Sequence, residues 1–244
     1  MIRLDQALVE RSLCDSREKA KRAILAGQIR VNGQLANKAS DSVKPDDEIV
    51  LLASEKFVSR GGQKLEHALK QFQLDVTGAI AIDLGASTGG FTDCLLQNGA
   101  AKVFAVDVGQ GQLAWKLRKD KRIVVMEKTN ARFLKPEQFP QPFDLAVIDC
   151  SFISLRKILP PAIPLLKPDG KIVALIKPQF EAGKAEADKG RGVISDPKIH
   201  ERILSELREF VSAQAGLCWR DVVESPLLGP AGNKEFLVLI EKTR

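Results

Sequence analysis

The chain has 244 residues, 44% of them hydrophobic, and its 37 lysines and arginines against 31 aspartates and glutamates leave a net charge of +6. That length suits one large α/β domain plus a small one, and the basic balance tilts toward a polyanionic partner. No apolar run approaches about eighteen residues and the first few residues are charged, which excludes a readable membrane span or signal peptide and makes a soluble, cytoplasmic protein the expectation. Cys14, Cys94, Cys150 and Cys218 are widely spaced and form no C-x-x-C pair, so reduced core thiols are expected rather than disulfides, and no metal site is expected.

Leu4, Ala7, Leu8 and Arg11 fall at helical spacing over residues 3 to 12, and a second helix is expected from Ser16, as N-cap, to Ala26, with Gly27 as its stop. In Ile29-Arg-Val-Asn-Gly-Gln-Leu35 the pair Asn32-Gly33 sits between apolar residues, a tight-hairpin signal, and Ile49-Val-Leu-Leu52 reads as a short strand. This helix-helix-hairpin unit, residues 1–52, gathers Arg3, Arg11, Arg17, Lys19, Lys21, Arg22, Arg30 and Lys38, while Asp41, Asp46, Asp47 and Glu48 collect near its end. Such cations can lie along a phosphate backbone and bind it in a salt-dependent way. The unit holds no aromatic residue, which favours folded, backbone-rich nucleic acid over unstacked bases. On charge alone, a solvated basic face explains the same residues.

Residues 53–60 read as a polar linker and 61–244 as a second domain. Leu65, Ala68, Leu69 and Phe72 mark an apolar helical stripe; strands are expected at Ala79–Leu84, Lys102–Val106, Ile123–Met126, Phe143–Ile148 and Lys171–Ile176. Helix Pro197–Gln214, strand Leu217–Glu224, a Pro/Gly loop and strand Glu235–Ile240 follow. The fold class is α/β: a Rossmann-like doubly wound sheet ending in an antiparallel hairpin, behind a small N-terminal α+β unit. Trp115 and Trp219 are expected to be packed. The basic, glycine-rich stretch Glu181–Ser195, with Gly183, Lys184, Lys189, Gly190 and Arg191, reads either as a mobile loop that closes on RNA or as a surface linker.

The richest signal is Ile80-Ala-Ile-Asp-Leu-Gly-Ala-Ser-Thr-Gly-Gly-Phe-Thr-Asp93, an apolar strand that breaks into a glycine-rich turn opening a helix. Gly85, Gly89 and Gly90 let a ligand approach backbone amides at the helix start. Asp107 ends the strand about twenty residues past the first glycine, where an acid can hold ribose hydroxyls. Ser87 stands where the dinucleotide fingerprint needs glycine, which weakens an NAD or FAD reading. The pattern Asp83-x-Gly85-x-x-x-Gly89-Gly90 resembles the turn of S-adenosylmethionine-dependent methyltransferases. The resemblance implies S-adenosyl-L-methionine as cofactor and Asp83, Gly85, Ala86, Ser87, Thr88, Gly89, Gly90, Phe91, Asp107, Asn130 and Asp149 as its contacts, with Asn130 at the adenine.

Over nearly its whole length the chain resembles the TlyA family of ribosomal RNA 2′-O-methyltransferases, whose catalytic domain is of the FtsJ type. The resemblance rests on Ser59-Arg-Gly-Gly-Gln-Lys-Leu65, the glycine turn, Ile148-Asp-Cys-Ser-Phe-Ile-Ser154, Lys177-Pro-Gln-Phe180 and Gly232-Asn-Lys-Glu-Phe236. Arg3-Leu-Asp, Ser16-Arg and Val31-Asn-Gly similarly resemble the small RNA-binding fold named after the fourth small-subunit ribosomal protein. The family's lysine-aspartate-lysine-glutamate tetrad falls on Lys64, Asp149, Lys177 and Glu235, and the resemblance implies methylation of a cytidine in large-subunit 23S rRNA by a shorter-type member.

The tetrad suits the chemistry, because methyl transfer to a ribose hydroxyl is an in-line displacement in which the oxygen must be aligned and its proton removed. Lys177 is the expected proton acceptor or relay, Lys64 polarises the hydroxyl or holds a neighbouring phosphate, and the carboxylates orient both amines; the lysine roles can be exchanged. Two other classes compete: a non-catalytic rRNA-binding or assembly protein, and a methyltransferase acting on a small molecule or protein. The family is also labelled haemolysin, yet a pore needs an apolar span or amphipathic membrane strands that the sequence does not offer.

Overall fold

Leu4, Ala7 and Leu8 line one face of the first helix, α1 (Leu4–Glu10), and are buried with Ala20, Ala23 and Ile24 of α2 (Arg17–Leu25) in the computed structural model. The structure describes residues 1–25, 27–52, 56–183, 186, 188 and 190–243. It divides the chain into two units, Met1–Lys56 and Phe57–Arg244.

In the first unit the Ser16 hydroxyl accepts the Lys19 N–H at 3.3 Å and caps α2; Ala26, the expected last residue of that helix, lies outside the described residues. The strands here are β1 (Ile2–Arg3), β2 (Ile29–Val31), β3 (Gln34–Leu35), β4 (Ser42–Val43) and β5 (Ile49–Leu51). β2 and β3 pair antiparallel through Asn32 and Gly33, whose φ values of 50° and 79° give the mirror-image turn that suits strand twist. β5 pairs with the other edge of β2. A further ladder joins β1 to β4; two-residue strands carry no alternation, so nothing in the residue pattern announces it. In the first turn of α1, the fully buried Asp5 receives Arg3 at 3.0 Å and Arg17 at 2.8 Å. The hydrogen bond from Arg3, helped by Arg17, holds the Asp5 carboxyl at about 2 although burial pushes it up.

The second unit is built on seven strands: β6 (Ile80–Leu84), β7 (Lys102–Val106), β8 (Ile123–Met126), β9 (Phe143–Ile148), β10 (Leu166–Ile176), β11 (Leu217–Glu224) and β12 (Phe236–Lys242). Their order in the sheet is β11-β12-β10-β9-β6-β7-β8; β12 runs antiparallel to both neighbours and the other pairs are parallel. The step from β6 to either β7 or β9 reverses the winding, which places a ligand crevice at the carboxyl ends of these strands. Alternation along the strands covers both faces. Ile82, Leu84, Ala146, Ile148, Ile172 and Ala174 enter one buried cluster, and Ala81, Leu145, Val147, Val173 and Leu175 the other.

Helix α3 (Gly61–Gln71) buries Leu65, Ala68 and Leu69 and packs on α4 (Gly90–Gln97). The chain entering α3 is fixed by buried Asp93, which accepts the Val58 N–H at 2.9 Å and pairs with Lys116 at 2.9 Å. Among the described residues, three one-turn helices follow, α5 (Trp115–Arg118), α6 (Leu159–Ala162) and α7 (Pro178–Glu181). The last helix, α8 (Pro197–Ser212), starts on the Asp196 cap and Pro197 and buries His200, Ile203, Leu207 and Val211 in one stripe.

Two expectations are revised. Strand β10 begins at Leu166 rather than Lys171, because Leu166 pairs with Phe143 across an irregularity that absorbs Pro168-Asp169-Gly170. Trp115 is 70% exposed rather than packed, since α5 is a single turn that buries Leu117 alone; Trp219 does pack against the core. Of the expected polar linker, residues 53–55 lie outside the described residues, whereas Phe57 is buried.

Candidate active site

A cleft of about 680 Å³ opens at the carboxyl ends of β6, β9 and β10, bordered by Gly85–Thr88, Asp149 and Lys177. Each of those strands breaks there for a local reason. β6 ends in the glycine turn, where Gly85 has φ of +89° and a Cβ on it would stand 2.7 Å from the Asp149 carbonyl oxygen. Only glycine tolerates both the left-handed backbone and that approach. Asp149 directly follows β9, and Lys177 directly follows β10 and precedes Pro178 at the first position of α7.

The four tetrad residues meet in this cleft as two pairs. The Lys64 ammonium donates to Glu235 Oε2, and both side chains are buried, Glu235 to 1% exposure. Lys177 Nζ lies 2.6 Å from Asp149 Oδ1 and donates to Ser151 Oγ at 2.8 Å. Asp149 and Lys177 are therefore held by groups on adjacent strands, while Lys64 on α3 reaches the residue that precedes β12.

The turn itself is organised around two aspartates with opposite surroundings. Asp107, half-buried at the end of β7, accepts the Ser87 N–H at 2.8 Å and the Gly109 N–H at 2.7 Å. Asp83 is fully buried beneath the turn and accepts the Thr92 hydroxyl at 2.6 Å and its N–H at 3.0 Å. Burial pushes the Asp83 carboxyl up to about 7, assisted by the Asp149 charge and opposed by the Thr92 hydrogen bonds.

That shift has a definite sign for stability. Between about pH 4, where the unfolded carboxyl loses its proton, and about pH 7, the folded protein binds more protons, so folding stability falls as pH rises through that window. Asp83→Asn keeps an acceptor for Thr92 and removes the titration. The urea midpoint of this variant should gain steadily on that of wild type from pH 5 to pH 8; parallel curves would contradict the assignment.

Of the other expected cofactor contacts, Ala86, Ser87, Thr88, Gly90 and Phe91 line the cleft, and Gly89, with φ of +94°, is the N-cap of α4. Asp83, Asp107 and Asn130 do not line it. Asn130 is exposed, and its side chain accepts the Arg132 N–H at 3.0 Å, capping a single 3-10 turn.

Several lining residues lie inside the family motifs quoted above, which give them no role of their own. Ser151 and Phe152 closely follow Asp149; Gln179 and Phe180 closely follow Lys177. Position just past a strand end was the signal available for all four. Phe152 is 90% exposed at φ of 62°, and its ring centroid lies 5.2 Å from that of Phe180. Glu181 ties the two segments together by accepting the Ser154 hydroxyl at 2.6 Å and the Leu155 N–H at 2.7 Å. Burial raises the Glu181 carboxyl above its ordinary value, against those two hydrogen bonds. Gly192, Pro230, Ala231 and Asn233 close the far side. Buried Asn233 accepts the Ile194 N–H at 2.8 Å and donates to the Gly192 carbonyl at 2.8 Å, which pins one end of the stretch expected to be a loop. Lys184 and Lys189 of that stretch lie outside the described residues.

In the first unit the eight expected RNA contacts divide. Arg11 is engaged internally, donating to the carbonyls of Asp47, Lys44 and Pro45 at 2.6 to 3.0 Å. Arg3 and Arg17 hold Asp5, Lys19 pairs with Asp15, and Arg30 donates to the Gly33 carbonyl at 3.0 Å. Lys21, Arg22 and Lys38 are exposed and have no ion-pair partner among the described residues.

Comparison with known proteins agrees with this architecture. A family model described as FtsJ-like methyltransferase matches residues 57–242, and one described as S4 domain matches residues 2–49. The 16S/23S rRNA (cytidine-2'-O)-methyltransferase TlyA of Mycobacterium tuberculosis is 45% identical over 97% of this chain and 88% of its own length. Hemolysin A of Brachyspira hyodysenteriae is 41% identical over 97% of this chain and 98% of its own. The solved structure of a hemolysin-named chain of Streptococcus thermophilus is 44% identical, with a TM-score of 0.76 over 99% of this chain and 88% of that one. No helix among the described residues is long and apolar enough to cross a membrane. The chain belongs to the FtsJ-like methyltransferase family, in the group that includes TlyA and hemolysin A and joins an S4 domain to the methyltransferase domain.

Proposed function

We propose that this protein transfers a methyl group from S-adenosyl-L-methionine to the 2′-hydroxyl of a cytidine ribose in ribosomal RNA, with 23S RNA of the large subunit as its target. The observation that carries this reading is the meeting of two lysine-carboxylate pairs in one cleft beside a glycine turn. The cytidine in rRNA is supported by the activity in the name of the M. tuberculosis relative, and 23S RNA is named both for that relative and for the TlyA of Campylobacter jejuni.

The residues fit the cofactor. Gly85 puts no side chain between the turn and the Asp149 backbone, and Asp107, which does not itself line the cleft, anchors the turn at the strand end by accepting the Ser87 and Gly109 N–H groups. When bound, S-adenosyl-L-methionine supplies an electrophilic methyl carbon on a positively charged sulfur. The chain's own residues do the rest. Gly85–Thr88 present the turn backbone, and Lys64, fixed by Glu235, steadies the ribose hydroxyl or a neighbouring phosphate. Lys177 takes or relays the hydroxyl proton, with its amine aimed by Ser151 and Asp149. The exposed Phe152 ring, backed by Phe180, offers a face on which an unstacked base can lie.

The S4 unit supports RNA as substrate. Lys21→Ala with Arg22→Ala should weaken rRNA binding alike across sequences and reduce the salt slope by about one for each phosphate no longer neutralised. Filter binding from low to high salt reads both quantities; an unchanged slope would remove these residues from the interface. The function itself is tested with methyl-labelled S-adenosyl-L-methionine and unmodified ribosomal RNA. Label in alkali-resistant dinucleotides, as a 2′-O-methyl group produces, is the expected result. Label on a base, or equal activity after removal of residues 1–52, would contradict it.

A further inference from the structure

Beyond the tetrad, one buried polar atom in the cleft stands without a hydrogen-bond partner among the described residues. Gln179 lies on α7, two residues past Lys177 and next to Phe180, and it lines the cleft. Its Oε1 is shielded from solvent and receives no hydrogen bond from the described residues. The cations of the tetrad are committed elsewhere: Lys64 to Glu235, and Lys177 to Asp149 and Ser151. A buried acceptor left unpaired is costly, so a donor brought by a ligand is the natural complement.

Resting on the functional reading above, we infer that Gln179 is a specificity-determining residue whose Oε1 accepts a hydrogen bond from the exocyclic amine of the target cytosine. Cytosine carries an amino donor where uracil presents a carbonyl oxygen, so an amide oxygen at this place favours the first and opposes the second. The neighbouring ring pair fits the same base. Phe152 and Phe180 supply an apolar face, and the residue between Pro178 and Phe180 is placed to meet the edge of a base lying on it. Gln179 moves no proton and forms no bond to the methyl group; it acts by choosing which nucleotide is held.

The test removes one partner at a time. RNA carrying either cytidine or a 2-pyrimidinone riboside at the methylated position, the latter lacking only the 4-amino group, is presented to wild type and to Gln179→Leu. Wild type should lose about tenfold in kcat/KM when the amine is removed. Gln179→Leu should lose about tenfold on cytidine and then be indifferent to the amine. Gln179→Glu, which keeps an acceptor, should still prefer cytidine. Equal amine dependence in wild type and Gln179→Leu would overturn the inference. So would weaker calorimetric binding of S-adenosyl-L-methionine to Gln179→Leu with the cytidine preference intact, since the oxygen would then belong to the cofactor's ammonium. A wild-type protein that methylates a base or no RNA at all sinks the functional reading first, and is recognised before any variant is compared.

Discussion

Lys177→Ala should slow the methyl-transfer step by about a hundredfold or more while leaving cofactor affinity and folding close to wild type. The three parts of this expectation have separate causes. Lys177 Nζ is held by Asp149 at 2.6 Å and Ser151 at 2.8 Å, inside the cleft where the hydroxyl proton must leave. Removing the amine removes the acceptor and leaves the electrophile in place. Its partner Asp149 keeps 24% side-chain exposure, so water can take over part of the solvation of the carboxylate, and the stability loss should stay small. Single-turnover rates with excess enzyme isolate the chemical step from product release. A variant rate within a few-fold of wild type would dismiss Lys177 as the proton acceptor, and the same experiment on Lys64→Ala would then decide whether the roles are exchanged.

Lys64→Ala should behave differently, with a loss of about 3 to 5 kcal/mol of stability in addition to lost activity. Glu235 is 1% exposed and Lys64 is its cationic partner, so deleting the lysine strands a charge that bulk water does not reach. The double change Lys64→Met with Glu235→Leu replaces the pair with apolar groups of similar bulk. It should recover most of the lost stability and none of the activity. Urea unfolding of the two variants separates the structural from the chemical contribution of this pair. A fully stable Lys64→Ala protein would mean that Glu235 finds another partner and that the pair does not position the amine.

What was legible in the sequence follows the range of the interactions. Strands β7, β8, β9 and β11 fall on the expected residues; β7 and β9 are largely buried on both faces and so read as apolar runs, and β8 is an apolar run at the sheet edge. The glycine turn was equally plain, since Gly85 is demanded by local backbone geometry and a close approach. The tetrad came from motif resemblance, and chain order alone could not say which amine meets which acid: Lys64 and Glu235 stand 171 residues apart. Partners that depend on tertiary proximity were missed for the same reason. Ser151 beside Lys177, Thr92 beneath the turn at Asp83, and Asn233 clasping Gly192 and Ile194 carry no spacing signal. Trp115 misled in the other direction, because large apolar residues are usually buried and a single helical turn can bury only one side. Arg11 looked like any other cation of the basic unit, and only the folded backbone shows that it is occupied by three carbonyls.

Locating the methyl group decides whether this cleft is an RNA ribose methyltransferase site. Unmodified ribosomal subunits, methyl-labelled S-adenosyl-L-methionine and the full chain are incubated together, and the RNA is mapped by mass spectrometry of nuclease fragments. One ribose-methylated cytidine in large-subunit 23S RNA, formed far more slowly by Lys177→Ala, is the expected result. Label on a base, on protein or on a small molecule would contradict it.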